Sequence, residues 1–261
     1  MKSILNTAEN LMTLGLHGMA VAYERQLETP ALLKEPFDTR LGLMMDAENS
    51  ERESRKVGRL LKAARLRENE ATMDSIEFKA SRGIDRNTVM AVGECEWLAR
   101  HQNVIITGAT GTGKTWLACA LGNQACRLGR AAQYRAATKL FEEISLFYAD
   151  HTMPKLRRQL IRAELLIIDD LGIGGIDVQL GPFLLDVIDQ QSQNGSLLIT
   201  SQYPKEKWYD LFSDPTIADA ILDRIVHKSH VIELKGESME GSKVASVRKN
   251  IRRMSLVVNT M

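Results

Sequence analysis

The stretch Gly108-Ala109-Thr110-Gly111-Thr112-Gly113-Lys114-Thr115 fits the pattern G-x-x-x-x-G-K-[ST]. It lies between an aliphatic run, Val104 to Thr107, and a helical stretch that starts near Thr115. Glycines at these spacings let the backbone aim several N–H groups at phosphate oxygens, and a helix N-terminus adds its positive dipole end. In such a loop Lys114 neutralises β- and γ-phosphates and the Thr115 hydroxyl ligates Mg²⁺. Gly108, Thr110, Gly111, Thr112, Gly113, Lys114 and Thr115 are therefore the expected nucleotide-holding residues, with a nucleoside triphosphate and Mg²⁺ bound there.

A second constellation, Leu165-Leu166-Ile167-Ile168-Asp169-Asp170, puts paired carboxylates at the end of an aliphatic run. Such a run predicts a buried central strand that delivers its acids to the edge where ligands sit in open α/β sheets. Asp169 is the expected metal-side acid, and Asp170 is expected to orient or deprotonate an attacking water. The pair favours hydrolysis over binding alone. Leu197-Leu198-Ile199-Thr200-Ser201-Gln202 is another aliphatic run with a polar end. Beside a bound triphosphate such a group reports the γ-phosphate through the lytic water, and Gln202 is the expected reporter ahead of Ser201 and Thr200. Arg224 closes a helical stretch, either as a cation matched to the helix dipole or as an arginine finger given in trans to a neighbouring subunit's nucleotide.

The elements that must position these residues follow from periodicity. Strands are predicted at 104–107, 133–136, 165–169, 197–200 and 231–234, and helices at 115–128, 138–148, 178–193 and 216–226. Gly129 and Asn194-Gly195 read as helix stops followed directly by strands. This alternation predicts an α/β domain with a doubly wound parallel sheet.

Residues 1–70 carry helical spacing broken at Pro30 and Pro36, which predicts a separate N-terminal helical unit. Its basic run from Arg52 to Arg67, with Arg55 and Arg59 as candidate contacts, is either a solvated helix face or a phosphate-contacting surface. Residues 71–240 form the expected catalytic domain. A basic tail, 241–261, is either a nucleic-acid contact or a solvated end.

Across 261 residues, 34 Lys and Arg against 33 Asp and Glu leave a formal charge of +1, so any nucleic-acid surface must be local. Cys95, Cys119 and Cys126 form no C-x-x-C pair, which points to reduced thiols and a cytoplasmic location and away from a disulfide or zinc framework. No apolar run approaches the roughly 18 residues that a membrane helix needs. The stretch Leu11 to Ala22, interrupted by His17, reads as an amphipathic helix and not as a signal-peptide core.

The phosphate loop, Leu-Leu-Ile-Ile-Asp-Asp-Leu-Gly (165–172), Ile-Thr-Ser-Gln-Tyr-Pro-Lys-Glu-Lys-Trp (199–208), Leu-Asp-Arg-Ile-Val-His (222–227) and Lys-Gly-Glu-Ser (235–238) resemble the IstB-type helper ATPases of bacterial insertion sequences. These are AAA+ proteins close to the DnaC-type helicase loaders, and the likeness runs from about residue 70 to 240. The resemblance implies a P-loop AAA+ ATPase that assembles as a homo-oligomer on DNA, duplex favoured, and assists a DDE-type transposase in target selection. It also makes 138–162 similar to a DNA-facing helical insertion, with Lys139, Lys155, Arg157, Arg158 and Arg162 as implied phosphate contacts. Three positions depart from the family pattern. Asp170 stands where many relatives carry Glu, Gln202 where Asn is usual, and Glu240 where an Arg is common, with Arg248 as a substitute cation. The alternatives are a DnaC-type helicase loader, a nucleotide-dependent scaffold with negligible turnover and, in a different class, a P-loop small-molecule kinase.

Overall fold

The computed structural model describes residues 2–76, 78, 85–173 and 175–236, with side chains from residue 7. Glu240, Arg248 and the basic tail lie outside the described residues. The chain divides into two compact units, the first ending at Lys62 and the second beginning at Ala63.

The first unit is helical: α1 (Lys2–Thr13), α2 (His17–Glu28), α3 (Pro30–Leu33) and most of α4 (Phe37–Ala64). Pro30 begins α3, where its missing N–H costs nothing. Gly18 lies so close to α4 that a Cβ there would come 2.4 Å from the Ala47 carbonyl. Gln26, eight residues on, exchanges hydrogen bonds with Arg40, so α2 and α4 run antiparallel. Glu48 of α4 is buried and accepts from the Gly18 and Met19 amides at 2.8 and 3.3 Å, which supplies partners to the open N-terminus of α2.

The basic run from Arg52 to Arg67 is not one helix face. α4 stops at Ala64, Arg65 takes a left-handed backbone at φ 52°, and Leu66 turns into the core of the second unit. Arg67 therefore belongs with the catalytic unit.

That unit opens with α5 (Arg86–Gly93) and α6 (Glu96–Ala99). It continues as β1 (Asn103–Gly108), α7 (Lys114–Arg127), β2 (Ala132–Ala136), α8 (Ala137–Ala149), α9 (Met153–Leu160), β3 (Leu165–Leu171), α10 (Leu180–Asn194), β4 (Ser196–Ser201), α11 (Pro215–Val226) and β5 (Ser229–Leu234). All strands pair in parallel in the order β2-β3-β4-β1-β5. The five predicted strands and four predicted helices each fall within a residue or two of these bounds.

The aliphatic runs that predicted strands are buried because helices cover both faces. Ile105, Ile106, Leu165 to Ile168 and Leu197 to Ile199 sit at the centre, flanked by Leu140, Leu156, Leu160, Ile221 and Ile225. α7 lies close to the sheet through small residues: a Cβ on Gly122 would meet Ile167 at 2.7 Å and Leu66 at 2.9 Å. Gly129 stops α7 in a left-handed conformation, φ 78°. Gly195 is extended instead, and its missing Cβ is needed because Glu164 O would lie 2.8 Å from one. Chain order reverses at β1, between β4 and β5, and the carboxyl ends of β1, β3 and β4 open beside one another there.

Candidate nucleotide site

The loop leaving β1 needs its glycines. Gly108, Gly111 and Gly113 have φ of 152°, 80° and 92°. At Gly108 a Cβ would come 2.4 Å from Leu234 O and 3.0 Å from Thr112 Oγ1, so β5 closes the space that a side chain would occupy. Thr112 is buried and its hydroxyl donates to Ala109 O at 2.8 Å, tying the loop across itself. Thr110 is exposed on the loop's outer side. Gly113 leads directly into α7, whose first residues are Lys114 and Thr115.

Lys114 is only 5% exposed, and its ammonium donates to Ala109 O at 3.1 Å. Burial pulls its pKa below the ordinary lysine value, while the charges of Asp170 and Asp169 pull the other way. A buried ammonium that borrows one loop carbonyl has donors left for an anion.

Asp169 ends the aliphatic part of β3 and is fully buried. Its carboxylate accepts from three hydroxyls: Thr115 at 2.9 Å on Oδ2, Tyr134 at 2.7 Å on Oδ2 and Thr200 at 2.6 Å on Oδ1. The sheet register explains this convergence. Asp169 pairs with Ala136 of β2, and Thr200 of β4 lies one step beyond the Ile168–Ile199 pair.

Asp170 is where the ladder breaks. Between Ile168 and Leu171, three steps along β3 span two steps along β4, and Asp170 takes a left-handed backbone at φ 59°. Such a bulge re-aims one side chain at a strand's end. Its amide donates to Thr200 Oγ1 at 2.8 Å, so one hydroxyl holds the carboxylate of Asp169 and the backbone of Asp170. The left-handed region favours Asp over longer residues, which gives a backbone reason for Asp rather than Glu at this position. Burial pushes the Asp170 carboxyl above its usual range and Asp169 adds to this, while Lys114 and Arg67 act against it.

The groups that meet here are oxygen donors, the Thr115 hydroxyl and the Asp169 carboxylate, with the charge of Asp170 close enough to act on Asp169 and Lys114. Among the described residues no group of three or more His, Cys, Asp or Glu could hold a metal by itself. The set fits Mg²⁺, which takes oxygen ligands and usually completes its shell with water and substrate phosphates.

Two predicted catalytic residues stand apart from this cluster. Gln202 lies just past β4, is exposed and makes no hydrogen bond among the described residues. Thr200, passed over in its favour, is the residue that reaches the acids. Ser201 ties strand ends together by donating to Leu171 O at 2.7 Å. Arg224 sits in the last turn of α11, where its Nε donates to Asp189 of α10 at 2.6 Å and its carbonyl accepts from Asn103 at 3.2 Å. Asn103 begins β1 and the phosphate loop follows its end, a separation of about 17 Å along the strand. Arg224 therefore lies by the end of β1 that is far from its own loop.

Of the basic candidates, Lys139, Lys155, Arg158 and Arg162 are exposed on or beside α8 and α9, opposite the buried Leu156 and Leu160. Arg157 is tied to Asp186 at 2.7 Å. In the first unit Arg55 pairs with Glu51 at 2.7 Å, and Arg55 and Arg59 line one groove with Arg52, Lys56 and Lys62. All three cysteines are free and buried. No helix among the described residues is long and apolar enough to cross a membrane.

Sequence patterning missed Tyr134 and underweighted Thr200. The signal for Thr200 was a lone hydroxyl inside an aliphatic strand. For Tyr134 it was a phenol two residues from the end of a strand that turned out to flank β3.

Comparison with known proteins agrees with this geometry. The chain resembles an insertion sequence ATP-binding protein of Sinorhizobium fredii, y4pL, at 37% identity over 249 residues, 95% of this chain and 98% of that one. It also resembles the ATP-binding protein of insertion sequence IS1162 from Pseudomonas fluorescens, at 36% over 199 residues, 76% and 86% of the two chains. Among solved structures, the DnaC helicase loader matches with a TM-score of 0.52 at 17% identity over 63% of this chain and 97% of that one. AMPPCP-bound DnaA from Aquifex aeolicus matches with a TM-score of 0.54 at 19%, over 64% and 50%. The fold is thus that of the P-loop AAA+ proteins. The family model described as IstB-like ATP binding protein matches residues 9–246, and the chain belongs to that family.

Proposed function

We propose that this protein is a cytoplasmic, DNA-binding ATPase that assembles into homo-oligomers on duplex DNA and assists a transposase in choosing its target. The observation that carries the catalytic part is the bond of Thr115 to Asp169 beside the glycine loop, with one hydroxyl, that of Thr200, gripping the Asp169 carboxylate and the Asp170 amide. The loop amides and Lys114 hold the triphosphate, and Thr115 and Asp169 would hold Mg²⁺. When bound, that ion neutralises charge on the β- and γ-phosphates. Asp170, aimed by its bulge, accepts a proton from the attacking water. Arg224, at the end of β1 far from its own loop, serves the nucleotide of a neighbouring copy, and its ion pair with Asp189 holds it until that neighbour arrives.

The paired acids beside the loop support water as the acceptor, against the kinase alternative. Family membership supports the insertion-sequence setting, and the exposed cations of α8 and α9 support contact with DNA phosphates. The experiment is phosphate release from ATP with no acceptor present, with and without duplex DNA. Release that rises with duplex DNA supports the proposal. Release only on adding a small-molecule acceptor would return the protein to the kinases, and assembly on DNA without release would make it a scaffold.

A further inference from the structure

β2 contributes a residue to the nucleotide site that no phosphate-loop pattern calls for. Tyr134 is 7% exposed, and its hydroxyl donates to Asp169 Oδ2 at 2.7 Å. Thr200 grips the other oxygen from β4, at 2.6 Å. β2 and β4 are the two neighbours of β3, so the carboxylate is pinned from both flanks. An ionised carboxylate has about four lone-pair sites. With one on each oxygen taken by these strands, its remaining capacity is presented to Thr115 at the start of α7, 2.9 Å away.

The phenol has one proton to give, and a neighbouring charge favours giving it to Asp169. The charge of Arg67 acts on the same phenol, and a guanidinium can only donate, so it favours the phenol oxygen as an acceptor and leaves the proton for Asp169. The chain on either side of Arg67 is anchored. Ala64 at the end of α4 and Leu66 and Ala71 beyond it are buried, and Leu66 abuts Gly122 of α7. Space-filling does not account for the hydroxyl, since a Phe would occupy the same volume without a buried polar atom to satisfy.

We propose that Tyr134 is a positioning residue for the metal-holding carboxylate of Asp169, its hydroxyl favoured as the donor by the nearby charge of Arg67. The proposal rests on the magnesium–nucleotide reading above. It makes the segment entering the catalytic unit part of the site's support, so that a displacement of Arg67 loosens Asp169 without touching the phosphate loop.

The test is binding of N-methylanthraniloyl-ATP to the full-length protein in EDTA and across a magnesium series, for wild type and Tyr134→Phe. In EDTA the two bind alike. The magnesium concentration that gives half of the tightening rises about tenfold in the variant, as for other groups that orient metal ligands. A purely structural role lowers the melting temperature and leaves that midpoint in place, so equal midpoints overturn the proposal. A wild-type protein that binds no more tightly with magnesium overturns the underlying reading, and the proposal with it. Should Tyr134→Phe fail to fold, Arg67→Met at an exposed position carries the test. A shift of about threefold in the same direction supports the proposal, and an unmoved midpoint overturns it.

Discussion

The hydroxyl of Thr200 donates to Asp169 Oδ1 at 2.6 Å. It also accepts the amide of Asp170 at 2.8 Å, so the end of β4 sets the geometry of both acids on β3. Thr200→Val keeps the shape and removes both bonds. Turnover is expected to fall about 10- to 100-fold. Stability is expected to fall by about 1–3 kcal/mol, because a buried carboxylate and an amide each lose a partner. Steady-state hydrolysis and denaturant unfolding of the same preparation check this, and Gln202→Ala, at an exposed position, serves as the near-neutral comparison.

Arg224 and the phosphate loop sit at opposite ends of β1, which makes the finger testable by mixing. Arg224→Ala is expected to bind nucleotide within about twofold of wild type while losing about 10³-fold in turnover. Lys114→Ala is expected to lose nucleotide-dependent assembly when alone. Mixed with the Arg224 variant, it supplies intact fingers to intact loops and restores part of the turnover. Wild-type turnover by Arg224→Ala alone removes the finger from the mechanism.

Gly108→Ala tests the loop's backbone. The φ of 152° and the 2.4 Å approach to Leu234 O leave no room for a methyl group. The expected cost is about 1–3 kcal/mol of stability, together with weaker nucleotide binding, because the loop cannot close against β5. A thermal melt with and without ATP reads both.

Glu48 gives the helical unit a pH dependence. The Arg52 hydrogen bond, together with the Met19 and Gly18 amides, holds its carboxyl below the ordinary value of 4.5. A depressed carboxylate stabilises the fold above the unfolded-state pKa, and that contribution is lost as pH falls through the folded one. Helical signal of the full chain is therefore expected to lose stability below about pH 4.5, and Glu48→Gln flattens that part of the profile. Equal acid profiles for the two proteins contradict the assignment.

The cations of α8 and α9 predict a salt signature. Lys155→Ala, Arg158→Ala and Arg162→Ala are each expected to weaken duplex binding across sequences. Each flattens the log K against log salt slope by about 0.9 if it meets one phosphate. Unchanged slopes would move the DNA surface elsewhere, with the Arg55 and Arg59 groove as the next place to substitute.

Patterns that depend on local sequence were legible without the structure. The glycine spacing gave the loop, and the aliphatic runs gave the strands, because a parallel sheet covered on both faces demands unbroken apolar segments. What was not legible depends on register. Nothing in Leu-Ile-Ile-Asp-Asp announces a bulge at Asp170, and nothing in Ala-Gln-Tyr-Arg-Ala announces that β2 lies beside β3 and brings Tyr134 to Asp169. Gln202 is expected ahead of Ser201 and Thr200 as the polar end of an aliphatic run. The strand instead ends at Ser201 and leaves the glutamine in solvent. Arg67 was read with the basic helix because charge runs continue across a helix stop that only the backbone at Arg65 reveals.

The central claim is ATP-dependent assembly on DNA, and particle mass in solution tests it most directly. The protein is measured with duplex and with single-stranded DNA under ATP, ADP and no nucleotide, across a salt series. Large assemblies on duplex with ATP alone, loosening as salt rises, are the predicted result. A monomer under every condition would contradict the account, since Arg224 would then have no nucleotide to serve.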